Sequence, residues 1–256
     1  MNYDNLILEK RDDIAILTLN HPPVNAWNLG LMEDFEKAID EIENDKDIRV
    51  LILTGAGEKC FSAGFDVSDA ANSYKISPKG REIWTRIDRF SKPVIAAING
   101  FAMGGGLELA LSCHFRIMID DPKATVGLTE LNLGIIPGWG GTQRLTRIVG
   151  KAKALDMILF SKRMGAKEAL SIGLINQIST KDRLMDDAMA FAEVLAKRPP
   201  LAVGAVLRAI SAFDYSGLDA GLKVEEEGSA IVGKSKDCIE GFTAFLEKRE
   251  PAFSGE

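Results

Sequence analysis

The chain has 256 residues, 46% of them apolar and 27% charged, with a formal net charge of -6 at pH 7. Such a chain supplies a substantial buried core, in one large domain or a domain with an appendage, and no run approaches the eighteen apolar residues of a bilayer span. The acidic balance, with no basic cluster and no interleaved aromatic run, argues against a nucleic-acid partner, and the start Met1-Asn2-Tyr3-Asp4 lacks the basic and apolar regions of a targeting segment, so a cytoplasmic protein without a membrane partner is expected.

Leu6-Ile7-Leu8 and residues 14–19 flank the polar turn Lys10-Arg11-Asp12-Asp13 and predict an opening hairpin. Leu31, Phe35, Ala38, Ile39 and Ile42 then recur at helical spacing. Continuous apolar runs at 50–54 and 93–98 predict strands buried on both faces. Residues 72–79 are polar and contain Pro78, which predicts a loop ahead of a helix over 80–90. Short strands are expected at 115–119 and 124–127, with Asp120-Asp121-Pro122 as the turn between them. Alternating strands and helices make residues 1–195 an α/β unit, whereas residues 196–256 are helical, at 201–213, 218–232 and 237–248, with Pro199-Pro200 marking the boundary. Those last helices have apolar stripes but little core of their own, so they are expected to pack on the first unit or on another subunit.

Three scattered cysteines, Cys60, Cys113 and Cys238, suggest neither a disulfide framework nor a zinc site and read as reduced thiols. With only His21 and His114 in the chain, proton transfer is expected to fall to carboxylates, with no metal. The densest signal is Asn99-Gly100-Phe101-Ala102-Met103-Gly104-Gly105-Gly106-Leu107-Glu108, where an apolar run enters three glycines and a helical segment leaves them. A strand ending on a glycine-rich helix N-terminus offers backbone N–H groups and a favourable dipole to developing negative charge, the layout of an oxyanion hole. On this run alone, close packing of two backbones explains the glycines equally well.

Two other motifs fail on inspection. Gly55-Ala56-Gly57 carries Cys60 where a dinucleotide fingerprint needs its third glycine, and Cys60-Phe61-Ser62-Ala63-Gly64 lacks the first glycine of a nucleophile elbow. The stretch from Phe61 to Val67 instead offers a second source of backbone donors. Glu108 and Glu130 complete an acid/base inventory: two carboxylates able to share one water. Taken singly, Glu108 reads as a solvated or capping carboxylate and Glu130 as the partner of a surface cation.

Taken together and in order, these segments resemble the crotonase, or enoyl-CoA hydratase/isomerase, superfamily. The resemblance runs through Asn20-His21-Pro22 with Asn25-Ala26, Phe61-Ser62-Ala63-Gly64-Phe65-Asp66, residues 92–100, Gly104-Gly105-Gly106-Leu107-Glu108-Leu109-Ala110, residues 134–144 from Gly134 to Arg144, and Phe245-Leu246-Glu247-Lys248-Arg249. It implies a spiral of repeated ββα units with a C-terminal helical trimerisation region, assembled as a homotrimer or a dimer of trimers. The implied ligand is an acyl-CoA, with no cofactor beyond the coenzyme A of the substrate itself. The implied reaction is reversible syn addition of water to a trans-2-enoyl-CoA, giving a 3-hydroxyacyl-CoA, in fatty acid or related acyl-CoA degradation.

Carried over residue by residue, the resemblance assigns the oxyanion donors to the backbone N–H groups of Phe65 and Gly105, water activation to Glu108, α-proton delivery to Glu130, and a water contact to the Gly138 N–H. It places Val24, Ala26, Ala63, Asp66, Val67, Met103, Gly104, Pro137 and Trp139 along the substrate. From the residues alone, Asp66 is a cap after a turn, Trp84 and Trp139 are packing residues, and both histidines are structural. Phe65 is bulkier than the small residue many hydratases carry there, and Val67-Ser68-Asp69 lacks the lysine often found after the aspartate, which removes one expected phosphate contact. Two nearby glutamates resist being charged together, so at least one is expected to titrate high. A Δ3,Δ2-enoyl-CoA isomerase, able to work with one carboxylate, or another acyl-CoA lyase of that superfamily, and a non-catalytic acyl-CoA-binding scaffold are the alternatives; Glu108 argues against the isomerase, and Gly105, Glu108 and Glu130 together argue against the scaffold.

Overall fold

The computed structural model describes residues 3–256, so Met1 and Asn2, at the start of the stretch read for targeting signals, lie outside the described residues. β1 (Leu6–Arg11) and β2 (Ile14–Leu19) form the expected antiparallel hairpin. β3 (Ala26–Trp27) leads into α1 (Leu29–Asn44), whose N-terminus is capped by the Asn28 side chain accepting from the Leu31 N–H at 2.8 Å. This helix buries the predicted stripe of Leu31, Phe35, Ala38, Ile39 and Ile42. β4 (Val50–Gly55), buried throughout, is followed by β5 (Cys60–Ser62), β6 (Gly64–Phe65) and α2 (Ser73–Asp88). β7 (Val94–Ile98), β8 (Phe101–Met103) and α3 (Gly105–Ser112) repeat the pattern. Then come β9 (Phe115–Ile119), β10 (Val126–Gly127), α4 (Gly141–Val149), α5 (Lys151–Leu159) and α6 (Ala166–Ser171). β11 (Gln177–Ser179) and α7 (Leu184–Ala196) precede the final helices α8 (Pro200–Ser216), α9 (Leu218–Val232) and α10 (Lys236–Glu247).

Successive turns of the chain send a long strand into one sheet and a short strand into another before a helix follows. The large sheet has the order β1-β2-β4-β7-β9-β11, parallel after the hairpin, and β10-β8-β5 form the second sheet. This is the spiral of ββα units that the resemblance implied. β4 and β7, at the centre of that sheet, are buried at every residue because both faces are covered, and α7 packs against β4, β7 and β9. Among the described residues, no helix is long and apolar enough to cross a membrane.

Two local expectations are corrected. Residues 72–79 are not a loop: α2 begins at Ser73 and runs through Pro78, preceded by a 3-10 turn at Val67–Asn72. Pro78 removes one backbone donor, but Ile76, Gly80, Ile83, Trp84 and Ile87 share a buried face, and that packing outweighs the lost bond. The strand expected at 124–127 shortens to Val126–Gly127, because the turn at Asp121 extends to the Ala124 N–H, which donates to the Asp121 carbonyl at 2.9 Å. The histidines are structural, as expected. His114 accepts the Val94 N–H through Nδ1 and is pushed by burial down to about 4, so it stays neutral. His21 Nδ1 lies 2.8 Å from the Ala26 carbonyl.

Candidate active site

The short parallel pair β3 and β6 holds the first of the two segments expected to supply backbone donors. Asn25 stitches it to the core: its buried side-chain amide donates to the Ala56, Cys60 and Phe61 carbonyls, while its own carbonyl accepts from Ser62 Oγ at 2.7 Å. Gly64 N–H is turned to Ser62 Oγ and Asp66 N–H to the Trp27 carbonyl, both on the β3 side. Successive N–H groups of a strand face opposite edges, so the Phe65 N–H faces away from β3. Gly64 takes φ +91°, and a Cβ there would lie 2.7 Å from the Met103 carbonyl oxygen and 3.0 Å from the Gly105 nitrogen. The two donor segments are therefore in contact, and Gly105 is the first residue of α3, where an N–H has no partner within its own helix.

The three glycines meet three different demands. Gly104 takes φ +50°, and a Cβ on it would sit 2.9 Å from Glu130 Oε1. A Cβ on Gly105 would come within 2.3 Å of the Trp139 ring, and one on Gly106 within 2.4 Å of the Ser62 carbonyl oxygen. Close packing and an open helix N-terminus, which the sequence left as alternatives, are both present here. Trp84, fully buried, adds a hydrogen bond from its indole N–H to the Gly105 carbonyl at 3.1 Å.

α3 is buried along its whole length, which delivers Glu108 into the interior at 1% exposure. Its Oε1 accepts from the Trp139 N–H at 2.8 Å and the Gly141 N–H at 2.7 Å. Burial raises this carboxyl above its ordinary range; those two donors and the Arg144 charge pull the other way. Glu130 opens a 3-10 turn, Glu130–Leu133, and its Oε2 is buried with no hydrogen-bond partner. Burial, with repulsion from Glu108 adding to it, pushes the Glu130 carboxyl up to about 7. Two carboxyls that repel one another titrate as a pair, and here only one of them is clamped.

Both glutamates border one cleft of about 780 Å³, which is also lined by Ala63, Phe65, Val67, Gly104, Gly105, Gly138 and Trp139 from the expected set. Trp139 is wedged between Gly105, Gly80 and the Trp84 ring, with centroids 5.3 Å apart. Five expected residues do not line the cleft. Val24 accepts the Ala63 N–H and Ala26 pairs with Gly64, so both support the donor strand. Asp66 caps the following turn by accepting the Ser68 N–H at 2.9 Å, while Met103 and Pro137 are buried. The sequence reading missed Ser73 and Ser77 on α2 and the apolar wall of Leu133, Ile135 and Ile136. Ile76, one turn before Gly80 on the same face, was the available sign that the helix began early enough to bring those serines in.

The enoyl-CoA hydratase/isomerase family model matches residues 9–256. The short-chain-enoyl-CoA hydratase of Clostridium acetobutylicum is 40% identical over 98% of this chain and 97% of its own length. The crotonyl-CoA hydratase of Syntrophomonas wolfei is 36% identical over 99% of each chain. The crystal structure of enoyl-CoA hydratase from Bacillus anthracis superposes with a TM-score of 0.94 at 37% identity, covering 99% of this chain and 100% of that one. The chain belongs to the enoyl-CoA hydratase/isomerase family.

Proposed function

We propose that this protein is an enoyl-CoA hydratase, adding water reversibly and syn across the 2,3-double bond of a trans-2-enoyl-CoA to give a 3-hydroxyacyl-CoA. The observation that carries the proposal is the pair of glutamates in opposite settings at one cleft, Glu108 held by two backbone N–H groups and Glu130 without a partner on Oε2. With the thioester oxygen between the Phe65 and Gly105 N–H groups, the charge that develops as water attacks C3 falls where donors are already oriented. Glu108, ionised, accepts the proton of the attacking water, which the Gly138 N–H helps to hold. Glu130, protonated, delivers a proton to C2 as the enolate collapses. A carboxyl pushed up to about 7 suits that role, since it holds its proton at neutral pH and releases it readily. One proton passes back from Glu108 to Glu130 to close the cycle, so the net addition is one water.

The coenzyme A arrives with the substrate, and no other cofactor is needed. Val67, Leu133, Ile135 and Ile136 expose apolar surface at the cleft, which suits an acyl chain and a place in fatty acid or related acyl-CoA degradation. Residues 196–256 are read as an oligomerisation region giving a homotrimer or a dimer of trimers. The support is α10, which leaves Phe242, Phe245 and Leu246 70–82% exposed, apolar surface of the kind a protein interface covers. Loss of the conjugated thioester absorbance on incubation with crotonyl-CoA tests the activity. No turnover of crotonyl-CoA or of longer enoyl-CoAs overturns it.

A further inference from the structure

Behind the cleft lies a charge network that the hydration steps do not use. Arg144, on α4, is 4% exposed and divides its guanidinium among three elements. Nε meets Asp88 Oδ2 on α2 at 3.1 Å, Nη1 donates to the Trp139 carbonyl at 2.8 Å, and Nη2 reaches Thr85 Oγ1 at 3.3 Å and Tyr215 on α8 at 3.4 Å. Tyr215 donates its hydroxyl to the same Asp88 oxygen, and Arg147 donates to it at 2.9 Å. Gly140 makes room for this arrangement: it takes φ +105°, and a Cβ there would lie 2.1 Å from Arg144 Nη1. The Trp139 carbonyl held by Arg144 belongs to the same residue whose N–H holds Glu108 Oε1.

We propose that Arg144 is a positioning residue for Glu108: seated between Asp88 and the Trp139 carbonyl, its guanidinium fixes the 139–141 turn that holds the Glu108 carboxylate, and ties it to α8 through Tyr215. The proposal rests on the hydratase reading for its kinetic consequence, but not for its geometry. Such a bidentate or tridentate seat needs the planar fork of arginine, which lysine cannot reproduce. The charged and titratable groups around Glu108 are few. Glu130 faces it across the cleft and Arg144 lies behind the turn. Beyond Arg144 stand Asp88, Arg147, Asp214 and Tyr215, while Arg116 on β9 is occupied with the Ala110, Cys113 and Leu174 carbonyls, and His114 is neutral. Arg144 is thus the cation nearest the clamp, and its charge favours ionised Glu108.

The test compares Arg144→Met with Arg144→Lys, reading kcat and KM for crotonyl-CoA against pH, together with a carbon-13 NMR titration of Glu108. In Arg144→Met the Glu108 titration and the acid limb of kcat/KM should both move up by about one pH unit, with kcat falling about tenfold or more and KM little changed. Arg144→Lys keeps the charge, so the titration should stay in place while kcat falls because the fork is lost. Asp88 keeps Arg147 and Tyr215 as partners in both variants, which favours folding. A folded Arg144→Met enzyme whose Glu108 titrates as in the wild type, or whose kcat stays within twofold, overturns the proposal. Should Arg144→Met not fold, Arg144→Lys decides it through kcat alone, full activity being the contrary result. A wild-type protein that hydrates no enoyl-CoA refutes the hydratase reading instead, and the NMR titration still decides the placement of Arg144.

Discussion

α3 and the 3-10 turn at Glu130–Leu133 each bring one glutamate to the same cleft, yet they treat it oppositely. α3 has no exposed residue, and Glu108 reaches two backbone N–H groups, those of Gly141 at the start of α4 and of Trp139 two residues before it. The turn has no fully buried residue, and Glu130 is left with a buried oxygen that nothing donates to. The same side chain is therefore clamped in one region and left with an unpartnered oxygen in the other. Burial raises both carboxyls, and the comparison teaches that backbone donors, not residue type, set what opposes that push: two N–H groups at Glu108, none on Oε2 of Glu130.

The largest effect expected from breaking this contrast is loss of either carboxylate. Glu108→Gln and Glu130→Gln should each lower the hydration kcat by roughly 10²- to 10⁴-fold, with acyl-CoA affinity, measured by calorimetry, largely kept. Near-wild-type hydration by Glu108→Gln would remove it from the mechanism. Next in size is Gly105→Ala, which puts a methyl group 2.3 Å from the Trp139 ring and displaces the donor, for a loss of about 10²- to 10³-fold. Adding Trp139→Ala should restore part of that rate, because the two sites share one space; a double variant no faster than Gly105→Ala alone contradicts the packing account.

A subtler effect concerns stability. The folded-state pKa of Glu130 is raised, from an ordinary value of 4.5 to about 7, so between those values the unfolded chain releases a proton that the fold retains. Its penalty to folding is absent below pH 4.5, grows as pH rises, and is complete above pH 7. Glu130→Gln should accordingly raise Tm at pH 8, by up to about 3 kcal/mol in free energy, and leave it nearly unchanged at pH 4; equal shifts at both pH values would refute this. The smallest effect on the fold is expected at the surface. Phe245, 82% exposed on α10, can become Glu with a change within about 0.5 kcal/mol in the isolated chain, yet should lower the mass seen by light scattering if that face is covered by another subunit.

Much of this was legible in the sequence because it is local. The apolar strands and the helix at Leu218–Val232 are patterns within a few turns of chain, and the structure places them as read; the glycine run and the two glutamates were equally visible as local features, and the structure brings them to one cleft. What escaped was set by distant contacts. Pro78 argued locally for a loop, and only the burial of Ile76 and Gly80 against other elements shows why the helix persists. Gly105 must stay bare because Trp139, thirty-four positions on, lies against it, and no spacing rule reports that. The residues 134–144 were recognisable as a motif, yet the division of labour within it, N–H groups to Glu108 and the Trp139 carbonyl to Arg144, emerges only from geometry.

The most direct test of the contrast between the two glutamates is the pH dependence of kcat/KM for crotonyl-CoA hydration by the wild-type enzyme. With Glu130 required in its protonated form and pushed up to about 7, the rate should pass through a maximum and fall on an alkaline limb beginning near neutrality. A rate that stays level or keeps climbing from pH 7 to about pH 9 would contradict the assignment of Glu130 as the proton donor.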